Sequence, residues 1–344
     1  MSVGAGYRVE RVPFGWDVTG PDGARLLVGE WRGPTTAPPV KGEGEAGGEP
    51  RDTGPGATGP ATTGPYDIVL LDLLENPAQL GALRRRGLVH ARTVVAVLHA
   101  DHRVSSEEEL FRRCQFWGAI VPGDGDILAA APGRRAGPGY GLSQPPRRVL
   151  VLGGARSGKS RHAELRLAAE PRVTYLAAGP YLPGAQPAAD SEWTERVAAH
   201  RARRPPWWQT VESLDAAAAL RSESGAVLFD GAGTWLAAVM DESGAWADDD
   251  GEGEGDRDAG PGSASRLASA EVQIAAKVDE LLEAWRQTAA RVVAVSDEVG
   301  SSVHPPTRAG RVFRDQLGWL NQRLAAESEE TVLMVAGRAL TLPS

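Results

Sequence analysis

Val149-Leu150-Val151-Leu152-Gly153-Gly154-Ala155-Arg156-Ser157-Gly158-Lys159-Ser160 decides the reading of this chain. The apolar opening, half of it β-branched, predicts a buried parallel strand. Gly-x-x-x-x-Gly-Lys-Ser follows, the spacing of a phosphate-binding loop. Residues 161–169 then predict a helix. Physics requires that order. A loop that wraps phosphate must turn its N–H groups inward, which glycine permits. The helix behind it adds the positive end of its dipole. In such a loop Lys159 reaches the β- and γ-phosphates, and the Ser160 hydroxyl holds Mg²⁺ together with a carboxylate from elsewhere. Lys41, Lys159 and Lys277 are the only lysines of the chain, so a sequence that otherwise uses Arg keeps a Lys at this position.

Outward from the loop, strand-like runs recur at 148–152, 173–178, 226–229, 291–295 and 331–335. Helical stretches at 161–169, about 191–204, 213–222, 265–288 and 308–327 separate them. Alternation of this kind predicts βαβ units and a parallel sheet. Asp230 ends the run Ala226-Val227-Leu228-Phe229. A carboxylate there faces phosphates and Mg²⁺ in a nucleotide-binding α/β domain; the alternative reading is a cap for the helix that starts near Thr234. Glu192, Arg196, His200 and Arg204 share one face at i, i+4 spacing, with Arg203 nearby. Guanidinium groups around an imidazole suit a triphosphate, and a neutral imidazole can attack phosphorus. Taken alone, the same face also reads as solvated charge with an idle His. Ser296-Asp297-Glu298-Val299-Gly300 ends the fourth strand on the ligand side. Arg311, Arg314, Asp315, Gly318 and Asn321 lie on the helical stretch beyond.

Before the loop, 7–12 and 25–31 read as strands around a Pro21-Asp22-Gly23 turn. Residues 33–64 are too poor in large apolar side chains to order and read as a disordered insert. Strands at 66–72, 92–98 and 118–122 alternate with helices at 78–86 and from Ser105, where Ser105-Ser106-Glu107-Glu108 fits a capping box. Residues 132–146 read as a Gly/Pro linker. The acidic, Gly-rich stretch 241–264 reads as a disordered surface insert. Three segments result: 1–131, the linker, and 147–344.

Composition narrows the function classes. The 344 residues are 42% hydrophobic, enough for a substantial core, with a net charge of −8 that argues against a nucleic-acid surface. Cys114 is the only cysteine, which excludes an intrachain disulfide and a Cys-rich metal site. No apolar run approaches the about 18 residues of a membrane span, and the N-terminus has no basic-then-apolar leader. The expectation is a cytoplasmic protein.

The second block, from about Arg147 to Leu342, resembles the bifunctional adenosylcobinamide kinase/adenosylcobinamide-phosphate guanylyltransferases of cobalamin biosynthesis. Residues 153–164 (Gly-Gly-Ala-Arg-Ser-Gly-Lys-Ser-Arg-His-Ala-Glu), Tyr175-Leu176-Ala177 and Arg196-x-x-x-His200-x-x-x-Arg204-Pro205 carry the resemblance. So do Trp208-x-Thr210-x-Glu212, Asp230 with Trp235-Leu236, Glu298-Val299-Gly300, Phe313-Arg314-Asp315-x-x-Gly318-x-x-Asn321 and Val335-Ala336-Gly337. It implies an α/β, P-loop (RecA-like) NTPase fold with a mostly parallel sheet, behind a smaller N-terminal α/β remnant. It also implies two reactions: ATP or GTP phosphorylates adenosylcobinamide, and GTP then gives GMP to His200 for transfer onto the phosphorylated corrinoid. His200 and Lys159 are the implied catalytic residues. Nucleotide contacts are implied at Gly153, Gly154, Ala155, Arg156, Ser157, Gly158, Lys159 and Ser160, and at Arg201, Arg203, Arg204, Glu212 and Asp230. Mg²⁺ would sit at Ser160 and Asp230, in a homo-oligomer, commonly a trimer. Family positions that differ here are Asp297 for the usual Asn, Ser302-Val303-His304-Pro305 after Glu-Val-Gly, and Gly231-Ala232 after Asp230. Residues 1–131 are similar to part of a metallo-β-lactamase-like domain; Asp72, His99, Asp101 and His102 carry that likeness, but its His-x-His-x-Asp-His motif is absent, so no metal is expected there. A kinase for another small alcohol, and a nucleotide-binding module without catalysis, stay open as alternatives.

Overall fold

The computed structural model describes residues 2–3, 6–30, 64–98, 103–128, 145–178, 201–246, 261–301 and 304–343. The expected insert at 33–64 apart from Gly64, residues 247–260 of the insert at 241–264, nearly all of the linker, and His99, Asp101, His102, Glu192, Arg196 and His200 lie outside the described residues. The chain divides into two compact units, Met1–Pro145 and Pro146–Ser344.

The first unit holds a six-stranded sheet: β1 (Ser2–Val3), β2 (Tyr7–Val12), β3 (Gly15–Thr19), β4 (Arg25–Gly29), β5 (Ile68–Leu71) and β6 (Val94–Val97) in that order. The first four pair antiparallel, and β4, β5 and β6 pair parallel. Helices α1 (Ala78–Arg85) and α2 (Glu107–Trp117) complete it. The sequence missed β3, whose five residues alternate too briefly to register. The Pro21-Asp22-Gly23 turn therefore joins β3 to β4. The cap of α2 moves by one residue: Ser106 Oγ accepts from Glu109 N. The expected strand at 118–122 reduces to one bridge, Ala96 to Ile120. Asp72 accepts from Arg103 Nη2 at 3.0 Å and from Glu75 N at 3.2 Å.

In the second unit the sequence runs β7 (Arg148–Gly153), α3 (Lys159–Leu167), β8 (Val173–Ala177), β9 (Gln209–Glu212), α4 (Ala216–Ser222), β10 (Ala226–Asp230) and α5 (Ala232–Glu242). Then come α6 (Pro261–Gln287), β11 (Arg291–Asp297), α7 (Arg308–Ala326), β12 (Glu330–Val335) and β13 (Arg338–Leu342). The sheet order is β13-β12-β7-β11-β10-β8-β9, parallel except for β13. Val149, Leu150 and Val151 are fully buried. Strands covered on both faces read as unbroken apolar runs, and each such side chain contributes about 1.5–3 kcal/mol. Helices α5 and α6 reach into the 241–264 stretch from both sides; Pro261 begins α6, where a missing N–H costs nothing. Strand β9 escaped sequence reading because all four of its residues are exposed.

The strand order fixes where a ligand can lie. From β7 the chain leaves through α3 to β8, three places along the sheet, and later crosses β7 to reach β12. Crevices at such a reversal, beyond the carboxyl ends of the strands, are where open α/β sheets bind ligands. Pairing register aligns those ends: Asp297 stands beside Gly153, Asp230 beside Ala177, and Ala177 beside Glu212.

Candidate active site at the phosphate loop

Two glycines build the loop. A Cβ on Gly153 would stand 2.5 Å from Ser157 Oγ and 2.8 Å from Met334 O, so only hydrogen fits. Gly158 has φ +96° and caps the start of α3, a conformation glycine reaches without strain. Ala336 and Gly337 both have positive φ in the two-residue turn between β12 and β13, as a hairpin turn matching strand twist requires. Gly337 N donates to Ser157 O at 2.9 Å, so that turn braces the loop from behind. Gly154, Ala155 and Arg156 form the exposed crest, while Ser157 and Lys159 are buried.

Lys159 Nζ donates to Gly154 O at 3.2 Å and pairs with Asp297 Oδ1 at 2.7 Å. Asp297 is itself braced, since Asn321 Nδ2 donates to its backbone oxygen at 3.0 Å and Ser296 Oγ donates to Asn321 Oδ1 at 2.6 Å. Asn321 is thus a strut between β11 and α7. Farther along, Arg314 bonds Asp315 and His304, and Arg311 Nη1 donates to the carbonyls of Pro305 and Pro306.

Asp230 does not cap the following helix; that place belongs to Gly231, with no side-chain cap bond. Its Oδ1 accepts from Ser160 Oγ at 3.3 Å and its Oδ2 from Tyr175 Oη at 2.8 Å. Burial, then the Asp230 charge, push the Tyr175 phenol far above its ordinary range, so it stays a donor. The donor set fits a small hard cation. Ser160 and Asp230 offer oxygen, and Mg²⁺ keeps several waters beside one or two carboxylates and substrate phosphates. Among the described residues no group of three or more His, Cys, Asp or Glu could cage a metal without such help.

The arginines expected around the nucleotide have separate partners. Arg201 pairs with Glu212 at 3.3 Å, both well exposed, which is worth little. Arg204 lays its guanidinium carbon 3.2 Å from the Tyr175 ring centroid. Arg203 bonds Glu164 at 3.0 and 3.3 Å. Glu164 lies one helical turn beyond Ser160. Its pKa is nevertheless raised, because burial outweighs the Arg203 bond. Arg203 is 41% exposed and screened by water, whereas the Glu164 side chain is 10% exposed. A raised pKa in the fold means that the stability carried by Glu164 is complete in acid and is lost as pH rises through that pKa. Glu164→Gln is neutral throughout. Its melting temperature relative to wild type should therefore climb as pH rises from the ordinary carboxylate range upward. A pH-independent difference would mean that Arg203 fully offsets the burial.

Sequence reading thus brought together the loop, Lys159, Ser160 and Asp230. It carried Tyr175 and Glu164 only as family pattern. Their partners lie on different strands and helices, which spacing along the chain cannot reveal.

A glycine-built loop between a buried strand and a helix, with a strand-end carboxylate facing its Ser, defines a nucleotide-phosphate-binding α/β protein. The match is more specific than that class. The family described as cobinamide kinase / cobinamide phosphate guanyltransferase matches residues 149–342, and the chain belongs to it. Similar relatives include the bifunctional adenosylcobalamin biosynthesis protein CobP of Pseudomonas aeruginosa, 38% identical over 199 residues, covering 57% of this chain and 96% of the relative. The proteins named bifunctional adenosylcobalamin biosynthesis protein CobU from Salmonella typhimurium and Escherichia coli are 36% and 35% identical, each over 55% of this chain and 96% of their own length. No helix among the described residues is long and apolar enough to cross a membrane.

Proposed function

We propose that the second unit phosphorylates the aminopropanol hydroxyl of adenosylcobinamide with ATP or GTP, then converts the product to adenosylcobinamide-GDP through a guanylylated His200. The observation that carries this reading is the convergence of Lys159, Ser160 and Asp230 at the loop, in a chain whose family is defined by the two activities.

In the first reaction the substrate hydroxyl attacks the γ-phosphorus and gives its proton to water, and the bond to the β-phosphate breaks as the nucleoside diphosphate departs. The loop N–H groups and Lys159 hold the phosphates in line and meet the charge that spreads over the transferring group. In the second, an unprotonated nitrogen of His200 attacks the α-phosphorus of GTP, the bond to the β-phosphate breaks, and pyrophosphate leaves. The phosphate of the first product then attacks the same phosphorus, breaking the P–N bond and freeing the imidazole. Arg201, Arg203, Arg204 and Glu212 follow His200 closely enough in sequence to serve the same nucleotide. Mg²⁺ is the cation assigned to Ser160 and Asp230, where it would neutralise phosphate charge. Assembly as a homotrimer belongs to the same reading and rests on the resemblance.

Incubation of the full chain with α-labelled GTP tests this reading. The expected product is a covalent GMP adduct, labile in acid and stable in base, which γ-labelled GTP does not give. Tight GTP binding without an adduct would favour a kinase for another alcohol. The relatives are matched almost end to end by the second unit. A chain beginning at Pro146 is therefore expected to keep both activities. Loss of turnover in that folded fragment would assign part of the site to the first unit.

A further inference from the structure

Tyr175 is 8% exposed, and it uses two different parts of its side chain on two different partners. Its hydroxyl donates to Asp230 Oδ2 at 2.8 Å, leaving Oδ1 to accept from Ser160 Oγ at 3.3 Å. Its ring face carries the Arg204 guanidinium, 3.2 Å from the centroid. The buried Arg204 Nε has no hydrogen-bond partner among the described residues, and the ring face, with the charge of Glu164 nearby, seats this arginine. An apolar strand former would fill the same place in the core but supply neither contact.

We propose that Tyr175 is a positioning residue that ties the cation side of the site to the arginine following the guanylylation segment. The proposal rests on the function proposed above. A carboxylate turns easily about its last torsion. Pinning Oδ2 removes that freedom and keeps Oδ1 toward Ser160. The pin is neutral, so Asp230 keeps its full charge for a divalent cation; an arginine in that place would cancel it. Partners that orient a ligating carboxylate typically govern metal affinity by about 10- to 100-fold. On the other face, the ring holds Arg204, four residues after His200, where its guanidinium can meet a phosphate.

Two variants separate the two contacts. Tyr175→Phe keeps the ring and loses the hydroxyl; Tyr175→Leu loses both. Mn²⁺ binding is read by electron paramagnetic resonance with a non-hydrolysable GTP analogue, and analogue affinity by calorimetry at saturating Mn²⁺, on the full chain. Tyr175→Phe should weaken Mn²⁺ by about tenfold while holding analogue affinity within about twofold. Tyr175→Leu should show the same metal loss and, in addition, about tenfold weaker analogue binding from the unseated Arg204. Tyr175→Met, closer in volume, substitutes if the Leu variant does not fold. Wild-type Mn²⁺ binding in Tyr175→Phe overturns the role toward Asp230. Equal analogue affinity in the Phe and Leu variants overturns the role toward Arg204. No Mn²⁺ or analogue binding by the unaltered chain overturns the proposal outright. Normal binding without a GMP adduct overturns the functional reading alone and leaves these variants decisive for Tyr175.

Discussion

Lys159→Ala is expected to lower both phosphoryl transfer and covalent guanylylation by at least about 100- to 1,000-fold, the scale of losing one preorganised charge partner of a transition state. The Lys159 side chain is 9% exposed and the Asp297 side chain 42%. That asymmetry sets what happens when a triphosphate arrives: the ammonium is fixed over the loop, and the carboxylate is the partner free to turn toward water. Phosphate oxygens then take the place of Asp297 Oδ1. The variant has a second effect, because it leaves the Asp297 charge facing the phosphates uncompensated. Like charges about 4 Å apart in a water-like medium cost about 1 kcal/mol, roughly fivefold in affinity. Lys159→Ala/Asp297→Asn should recover that part of nucleotide binding and none of the turnover. Near-normal turnover in a folded Lys159→Ala protein would remove the loop from the chemistry.

Legibility in the sequence followed the range of the interactions. The phosphate loop is local: the dihedral demands of Gly158 and the steric demand at Gly153 fall within one short segment, so its pattern could be read directly. Asp230 was legible because a carboxylate closing an apolar strand stands out along the chain. Its partners were not. Ser160 lies 70 residues and Tyr175 55 residues from it, and only the strand order, with β8 next to β10, brings them together. The Lys159–Asp297 pair depends in the same way on β11 lying against β7. In the second unit two strands were missed for opposite reasons. Strand β9 has no buried side chain to mark it, and β13 depends on a hairpin turn made by Ala336-Gly337, without the Asn or Asp that usually signals one. The pattern Val335-Ala336-Gly337 entered as family likeness. Its physical meaning, a turn whose N–H supports Ser157 O, needed the fold. Buried Glu164 illustrates the remaining gap. One helical turn past Ser160 it reads as an ordinary helix carboxylate, and its perturbation comes from burial that no spacing expresses.

His200→Asn should abolish the covalent GMP adduct and the second reaction while sparing most of the first. The two activities make different chemical demands. Guanylyl transfer through the protein needs a nucleophile whose unprotonated form is populated near neutral pH, which imidazole supplies and a carboxamide does not. Phosphoryl transfer to a bound alcohol needs in-line placement and charge stabilisation, and those come from Lys159, Ser160 and the loop. Loss of both activities in a folded His200→Asn protein would make His200 part of the common phosphate site instead of the nucleophile. An adduct that persists would move the nucleophile elsewhere, and the structure ranks the alternatives. His162 is 7% exposed, and Arg166 Nη1 lies 3.3 Å from its Nε2. An arginine can only donate, so that nitrogen's lone pair is already engaged and buried on α3. His304 is also met by an arginine, with Arg314 Nη1 2.8 Å from Nδ1, but that contact is exposed, so water or a phosphate can take the guanidinium and free the nitrogen to attack. A residual adduct should therefore disappear in His200→Asn/His304→Asn and survive in His200→Asn/His162→Asn; the reverse result would require α3 to open around His162 during the reaction.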